Sequence, residues 1–178
     1  NSSAAYNNLG NSLKKLGKVE AAEACCKKAI SLNPDNPLAR NNLGLILQEL
    51  GKLDEAAACY IKALALKPDF AEAHRNLTLI KQFDRRDKQY SKMLELYLDN
   101  NISDEQRCHI NFGLAKAYDD LGDFEKAFTH YEEGNALRKK LLNYDINQDV
   151  ELFRQIKSAY QHIEQYSLES EKLSKDIK

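Results

Sequence analysis

The sequence predicts an all-α solenoid: antiparallel helix pairs stacked in a row and closed by a C-terminal capping helix. Three observations predict it. The stretch AYNNLGNSLKKLGKVEAAEACCKKAISLNPD, Ala5–Asp35, returns in register as ARNNLGLILQELGKLDEAAACYIKALALKPD, Ala39–Asp69. Small residues keep the same places in both copies, Gly10 with Gly44, Gly17 with Gly51, Ala22 with Ala56 and Ala29 with Ala63. Each copy closes on a proline, Pro34 or Pro68. Self-similarity at a fixed period of this kind marks a stacked repeat.

The first unit spans 3–36 and the second 37–70. In each, Gly17 or Gly51 sits in the turn between two helices, where the backbone needs positive φ. Gly10, Gly44, Ala22 and Ala56 keep the crossing points small. Tyr6, Leu13, Leu47 and Tyr60 are the large residues that fill the remaining gaps. Asn36 followed by Pro37 is an N-cap followed by a favoured first helical residue. One such hairpin cannot bury its own apolar faces, so the copies cover each other.

After Asp69 the pattern weakens. Ala71–Phe83 reads as a first helix, but Thr78 replaces the glycine and Arg85 stands where the turn glycine belongs. Lys88–Asn100 reads as an apolar-periodic helix, and 71–102 together make an irregular third unit. Ser103 and Gln106 form a capping box that opens the fourth unit, 103–142. Leu114-Ala115, Tyr118, Gly122, Phe124, Ala127 and Tyr131 restore the pattern there. Gly122 falls three positions later than two full periods after Gly51, so the third unit is stretched. The last helix of the fourth unit runs to about Leu142 with no closing proline. The segment 143–166 holds the capping helix, which starts at Asp149 and carries Val150, Phe153, Ile156, Tyr160 and Ile163 on one face; an oligomerisation helix is the alternative. The remainder, 167–178, is a polar tail or a linker.

Composition narrows the function. Of 178 residues, 30% are charged, and the formal net charge is −1. A nucleic-acid module carries a clear basic excess. No apolar run approaches the length of a membrane span. The start, NSSAAYNN, has no signal-peptide pattern and no initiator Met, which suggests a piece of a longer protein. Cys25, Cys26, Cys59 and Cys108 include no CxxC spacing and read as small buried hydrophobes in a reducing compartment. A zinc site at Cys108 and His109 is the sharper alternative. The sequence contains no phosphate loop, GxSxG, HExxH or EF-hand loop. His74, His109, His130 and His162 are scattered, with His74 at an interior repeat position. Asp119-Asp120 and Glu132-Glu133 read as solvated faces. The chain is therefore expected to be neither an enzyme nor a cofactor carrier.

The period, Leu9-Gly10 and Leu43-Gly44, the turn glycines and the closing prolines together resemble the tetratricopeptide repeat. That resemblance implies a concave groove lined by the first helix of each pair. The residues around each Leu-Gly then face a protein or extended-peptide partner: Asn7, Asn8 and Asn11, then Asn41 and Asn42, then Arg75 and Asn76. Asn8, Asn42 and Asn76 recur at the repeat period. An amide both donates and accepts, so such a ladder can hold a peptide backbone with little dependence on salt. It resembles the asparagine ladder of O-GlcNAc transferase repeats. The bland alternative is a merely tolerated polar position. With the groove empty the three amides are expected to point into solvent, so that replacing them costs binding and not fold. A carboxylate clamp does not fit: Asn11 and Asn42 match its asparagines, but its cation places hold Asn7, Glu72 and Asn76.

The stretches DKQYSKMLELYLDNNISDEQR and GLAKAYDDLGDFEKAFTHYEEGN resemble the region ahead of the catalytic domain in bacterial sulfotransferases with tetratricopeptide repeats. This resemblance implies a cytoplasmic helper region that presents an acceptor to an enzyme using 3′-phosphoadenosine 5′-phosphosulfate. A free-standing adaptor and the repeat arm of an O-GlcNAc-transferase-like protein are the alternatives. Tyr6 and Leu13, with no preceding neighbour, leave an apolar N-terminal edge. Upstream repeats, another molecule or a second copy would cover it.

Overall fold

Each of the first two units starts where a side chain can satisfy a free helix N–H. Ser2 Oγ accepts from the Ala5 N–H at 3.2 Å and opens α1, Ser3–Lys15. Asn36 Oδ1 accepts from the Ala39 N–H at 3.1 Å and opens α3, Pro37–Glu49. Their partners are α2, Val19–Leu32, and α4, Leu53–Leu66. The turns are made alike. Gly17, Gly51 and Gly122 stand at φ of 71°, 74° and 74°. Each donates its N–H to the carbonyl three residues back, and the next residue's N–H reaches the carbonyl five back, Leu13, Leu47 or Tyr118. A Cβ at these glycines would meet nothing within 4 Å, so backbone conformation and not space demands glycine there.

The computed structural model describes residues 2–84 and 87–160. It divides into two units, Asn1–Leu141 and Leu142–Lys178. The core of the first unit begins with Ala22, Cys26, Leu43, Ile46, Leu47, Ala56, Tyr60 and Leu77, gathered from α2 to α5. Here Gly10 and Gly44 serve space. A Cβ on Gly10 would stand 2.7 Å from Cys26 Sγ, and one on Gly44 2.5 Å from the Tyr60 ring.

The third unit departs from the expected hairpin. Its first helix, α5, is Ala71–Thr78 and stops well before Phe83. Leu79 and Ile80 donate to the carbonyls of Asn76 and Leu77, three residues back, which tightens the last turn and ends the helix. Thr78 Oγ1 also donates to the Arg75 carbonyl, at 2.6 Å. The second helix, α6, is Lys88–Leu98, capped by Asp87, which accepts from the Gln89 N–H. Both α5 and α6 pack mainly on α7, Asp104–Asp120, instead of on each other. Phe83, Met93 and Leu96 join Ile110, Leu114, Ala117 and Tyr118 of α7 in a second core. Gly113 makes room for Met93, whose Sδ would lie 2.9 Å from a Cβ there.

The capping box expected at Ser103 and Gln106 is present: Ser103 Oγ accepts from Gln106 N–H at 3.2 Å, and Gln106 Oε1 accepts from Ser103 N–H at 2.9 Å. The last helix of the first unit, α8, is Phe124–Leu141. In the second unit a helix covers 146–160, starting ahead of the expected Asp149. The expected continuation to 166 and the polar tail lie outside the described residues. Among the described residues all regular structure is helical, nine helices in all, and no helix is long and apolar enough to cross a membrane.

Candidate functional site

The asparagine doublets sit on α1 and α3, and the third unit repeats them as Arg75-Asn76 on α5. Adjacent residues on a helix diverge by about 100°, so the two members of a doublet cannot share one environment. Asn42 Nδ2 donates to Asn7 Oδ1 at 2.8 Å, and Asn76 Nδ2 donates to Asn41 Oδ1 at 3.0 Å. The bonds therefore run diagonally, from each unit to the preceding position of the unit before. Asn7, Asn41 and Asn76 are 8%, 1% and 4% exposed. Asn42 and Arg75 are half-buried, and Asn8 and Asn11 are exposed.

The expectation of three amides pointing into solvent is thus corrected. Asn8 is open, Asn42 is spent on Asn7, and Asn76 is buried on Asn41. The reason is that a side chain at a helix–helix seam is cut off from water and must find a partner. The nearest is the matching amide of the neighbouring repeat. These four asparagines fasten α1 to α3 and α3 to α5.

The row ends at the fourth unit, where Gly113 and Phe112 occupy the places of Asn42 and Asn41. Arg75 responds to that change: its guanidinium lies over the Phe112 ring, 5.3 Å from the centroid. Nearby, Asn111 Oδ1 lies 2.7 Å from His130 Nδ1. The His130 ring stacks on Tyr118, centroids 5.3 Å apart, with the Tyr97 ring edge-on at 4.8 Å. Sequence reasoning did not find this cluster, because a lone histidine and a lone asparagine on different helices carry no spacing signal.

Two acidic pairs also read differently in three dimensions. Glu132 is exposed, but Glu133 accepts from the Tyr97 hydroxyl at 3.0 Å. Asp119 is exposed, but Asp120 is held by Lys116. Glu133 thereby ties α8 to α6, whereas the Asp120 pair lies within α7. Cys108 and His109 diverge as well. Cys108 Sγ faces the Gly134 carbonyl at 3.5 Å, while His109 lines a recess with Asp69 and Glu72. They do not converge on a metal, and the described residues contain no cluster of three or more ligating side chains. Burial pushes the Cys26 thiol up to about 11, leaving it a packing group at neutral pH.

His74 packs as expected at its interior position, 2% exposed, its Nε2 donating to the Pro68 carbonyl at 2.9 Å. Burial pushes both His74 and His130 below the ordinary histidine value of 6.5. The bond to Pro68 opposes that at His74, and Glu133 opposes it at His130. Below 6.5 the unfolded chain binds protons that the folded chain refuses, so stability is full above that value and falls as pH drops. Thermal melts at about pH 5 are therefore expected to lie below those at about pH 7.5. His130→Gln should flatten the difference. Equal slopes for the variant and the parent would show that His130 does not titrate this way.

Models of the tetratricopeptide repeat match residues 3–36, 37–70 and 109–140. The chain belongs to the tetratricopeptide-repeat family. The third match falls on the unit that restores Gly122, and the stretched unit between is left unmatched. Among solved structures the chain is similar to PilF of Pseudomonas aeruginosa, with 22% identity, TM-score 0.64, and 77% of this chain and 61% of that one covered. It is similar to PilW, described as a type IV pilus biogenesis factor, with 22% identity, TM-score 0.64, and coverage of 76% and 62%. MamA from Desulfovibrio magneticus gives 19% identity, TM-score 0.55, and coverage of 76% and 75%. The chain thus spans about three fifths of the length of PilF and PilW. At these identities the likeness is one of fold. No curated protein sequence matches the chain. None of these findings supports the sulfotransferase resemblance. Tetratricopeptide-repeat arrays are typical protein-interaction scaffolds, and this chain has that architecture.

Proposed function

We propose that this scaffold holds an extended segment of a partner protein along α1, α3 and α5, with Asn8, Asn11, Asn42 and Arg75 as its contacts. The observation that carries this reading is the division of labour among the asparagines. Asn7, Asn41 and Asn76 are locked between helices, which fixes the wall, while Asn8 and Asn11 stay exposed on it. Asn42 has given one N–H to Asn7 and keeps its carbonyl oxygen as an acceptor. Arg75 and Phe112 add a cation laid on an aromatic face at the end of the row.

The partner would be isolated by pull-down with the full chain and then titrated as a purified protein. Replacing Asn8 and Asn11 by Ala removes two hydrogen bonds of roughly 0.5–1.5 kcal/mol each, so affinity should fall by roughly one to two powers of ten. The melting temperature should not move, since both side chains are exposed. Unchanged affinity would place the binding surface elsewhere.

A narrower reading rests on the sequence resemblance alone: a cytoplasmic bacterial protein in which the scaffold presents an acceptor to a sulfotransferase domain. The gene sequence following Lys178 tests it, because a phosphate loop there selects this reading, and its absence leaves the adaptor. The outer edge of the first pair, where Tyr6 and Leu13 are half-buried, suits a further repeat or a second copy. A strictly monomeric chain in sedimentation velocity would eliminate the second copy.

A further inference from the structure

The stretched third unit opens a groove that the asparagine row does not use. In the first two pairs, α2 and α4 each pack between the first helix of their own unit and that of the next. The third second-helix, α6, leans on α7 and touches α5 little. The side of α4 that follows α5 is therefore left open. Between α4, the end of α5 and the start of α6 lies a groove of about 550 Å³. Its apolar surface comes from Ile61, Leu64, Ala65 and Pro68, and Ile61 is 55% exposed.

Its charges are one-sided. Lys81, Lys88 and Lys92 line it, with Asp87 as its only acid among the described residues. Asp87 is already engaged, by Lys81 and by the Gln89 N–H that it caps. Lys92 also meets Glu95 at 2.7 Å, but Glu95 is largely exposed, and a surface pair of this kind yields readily to a better partner. The groove thus carries two cations more than acids, beside an apolar floor. His74 adds no charge at neutral pH, because burial keeps it unprotonated.

We propose that this groove docks an amphipathic segment of a partner protein, apolar side chains on Ile61, Leu64 and Pro68, and Asp or Glu side chains beside Lys88 and Lys92. The charge balance selects an acidic segment. The shape selects side chains over a flat headgroup layer, since the apolar residues line a groove of about 550 Å³ and not a flat face. The lining residues come from α4, α5, α6 and their connections, and include none of the proposed amide contacts, so the two surfaces can be tested apart.

The probe is a fluorescent, acetylated peptide with Leu at helical spacing and Glu between, titrated into the full chain. The expected result is saturable binding that weakens about tenfold or more in K88E/K92E and in I61D, and that weakens with added salt. N8A/N11A should leave this affinity unchanged, which separates failure here from failure of the amide contacts. Ile61 is exposed, so I61D should keep the parental melting temperature. The proposal is overturned if the peptide does not bind, or if a Lys-for-Glu version binds as tightly. It is equally overturned if both variants bind like the parent, or if phosphatidylserine vesicles bind through these residues while the peptide does not.

Discussion

Gly44→Leu is expected to unfold the second repeat. A Cβ at Gly44 would stand 2.5, 2.8 and 2.9 Å from three atoms of the Tyr60 ring. Tyr60 has no room to yield. It is fully buried, and its hydroxyl donates to Gln48 Oε1 at 2.9 Å. Around it are Leu47, Ala56 and Leu77, themselves buried. Moving the ring would break the hydroxyl bond and open the joint between the second and third units. Overpacking costs about 1–3 kcal/mol for a few added methylenes, and leucine adds a branched side chain where even alanine clashes. In a chain of this size each kcal/mol lowers the melting temperature by roughly 2–4 °C. Gly17→Ala is the control, because it strains a positive φ but meets no atom within 4 Å. The leucine variant should melt well below that control. If it melts with the parent, Gly44 is not at a packed crossing.

Asn76→Ala is expected to cost stability first and binding second. It leaves Asn41 Oδ1 without its donor at a position 1% exposed. A buried acceptor left unpaired costs about 1–3 kcal/mol. Denaturant titration should show that loss, whereas Asn8→Ala on exposed α1 surface should show almost none. A double-mutant cycle with Asn41→Ala isolates the bond, since removing both partners should cost less than the two single losses together. Simple additivity would mean that the amides do not bond in solution. This result bears on function directly. Loss of partner binding in Asn76→Ala follows from a loosened wall, so the contact test must use Asn8 and Asn11.

Some of this protein follows from its sequence alone. The return of Gly10, Gly17, Ala22 and Pro34 at one fixed interval determines the helix pairs and their turns. These residues act through backbone conformation and local crowding, which neighbours in the chain largely decide. The Ser103–Gln106 box is local for the same reason. Interior placement of His74 was legible too, because the register of two clean repeats extends across it. Other features were decided only in three dimensions. The length of α5 and the turning of α6 onto α7 depend on Phe83 and Met93 finding a core with Ile110 and Leu114, residues far along the chain. The register placed Asn8, Asn42 and Asn76 in one column, but it could not say which amide of each doublet faces a seam. That is set by the rotation of α3 against α1 and of α5 against α3. A rotation of one position, about 100°, exchanges a solvent-facing amide for a buried one. The pairing of Asn42 with Asn7 and of Asn76 with Asn41 is the outcome of that rotation, and it is a property of packed helices, absent from any helix taken singly.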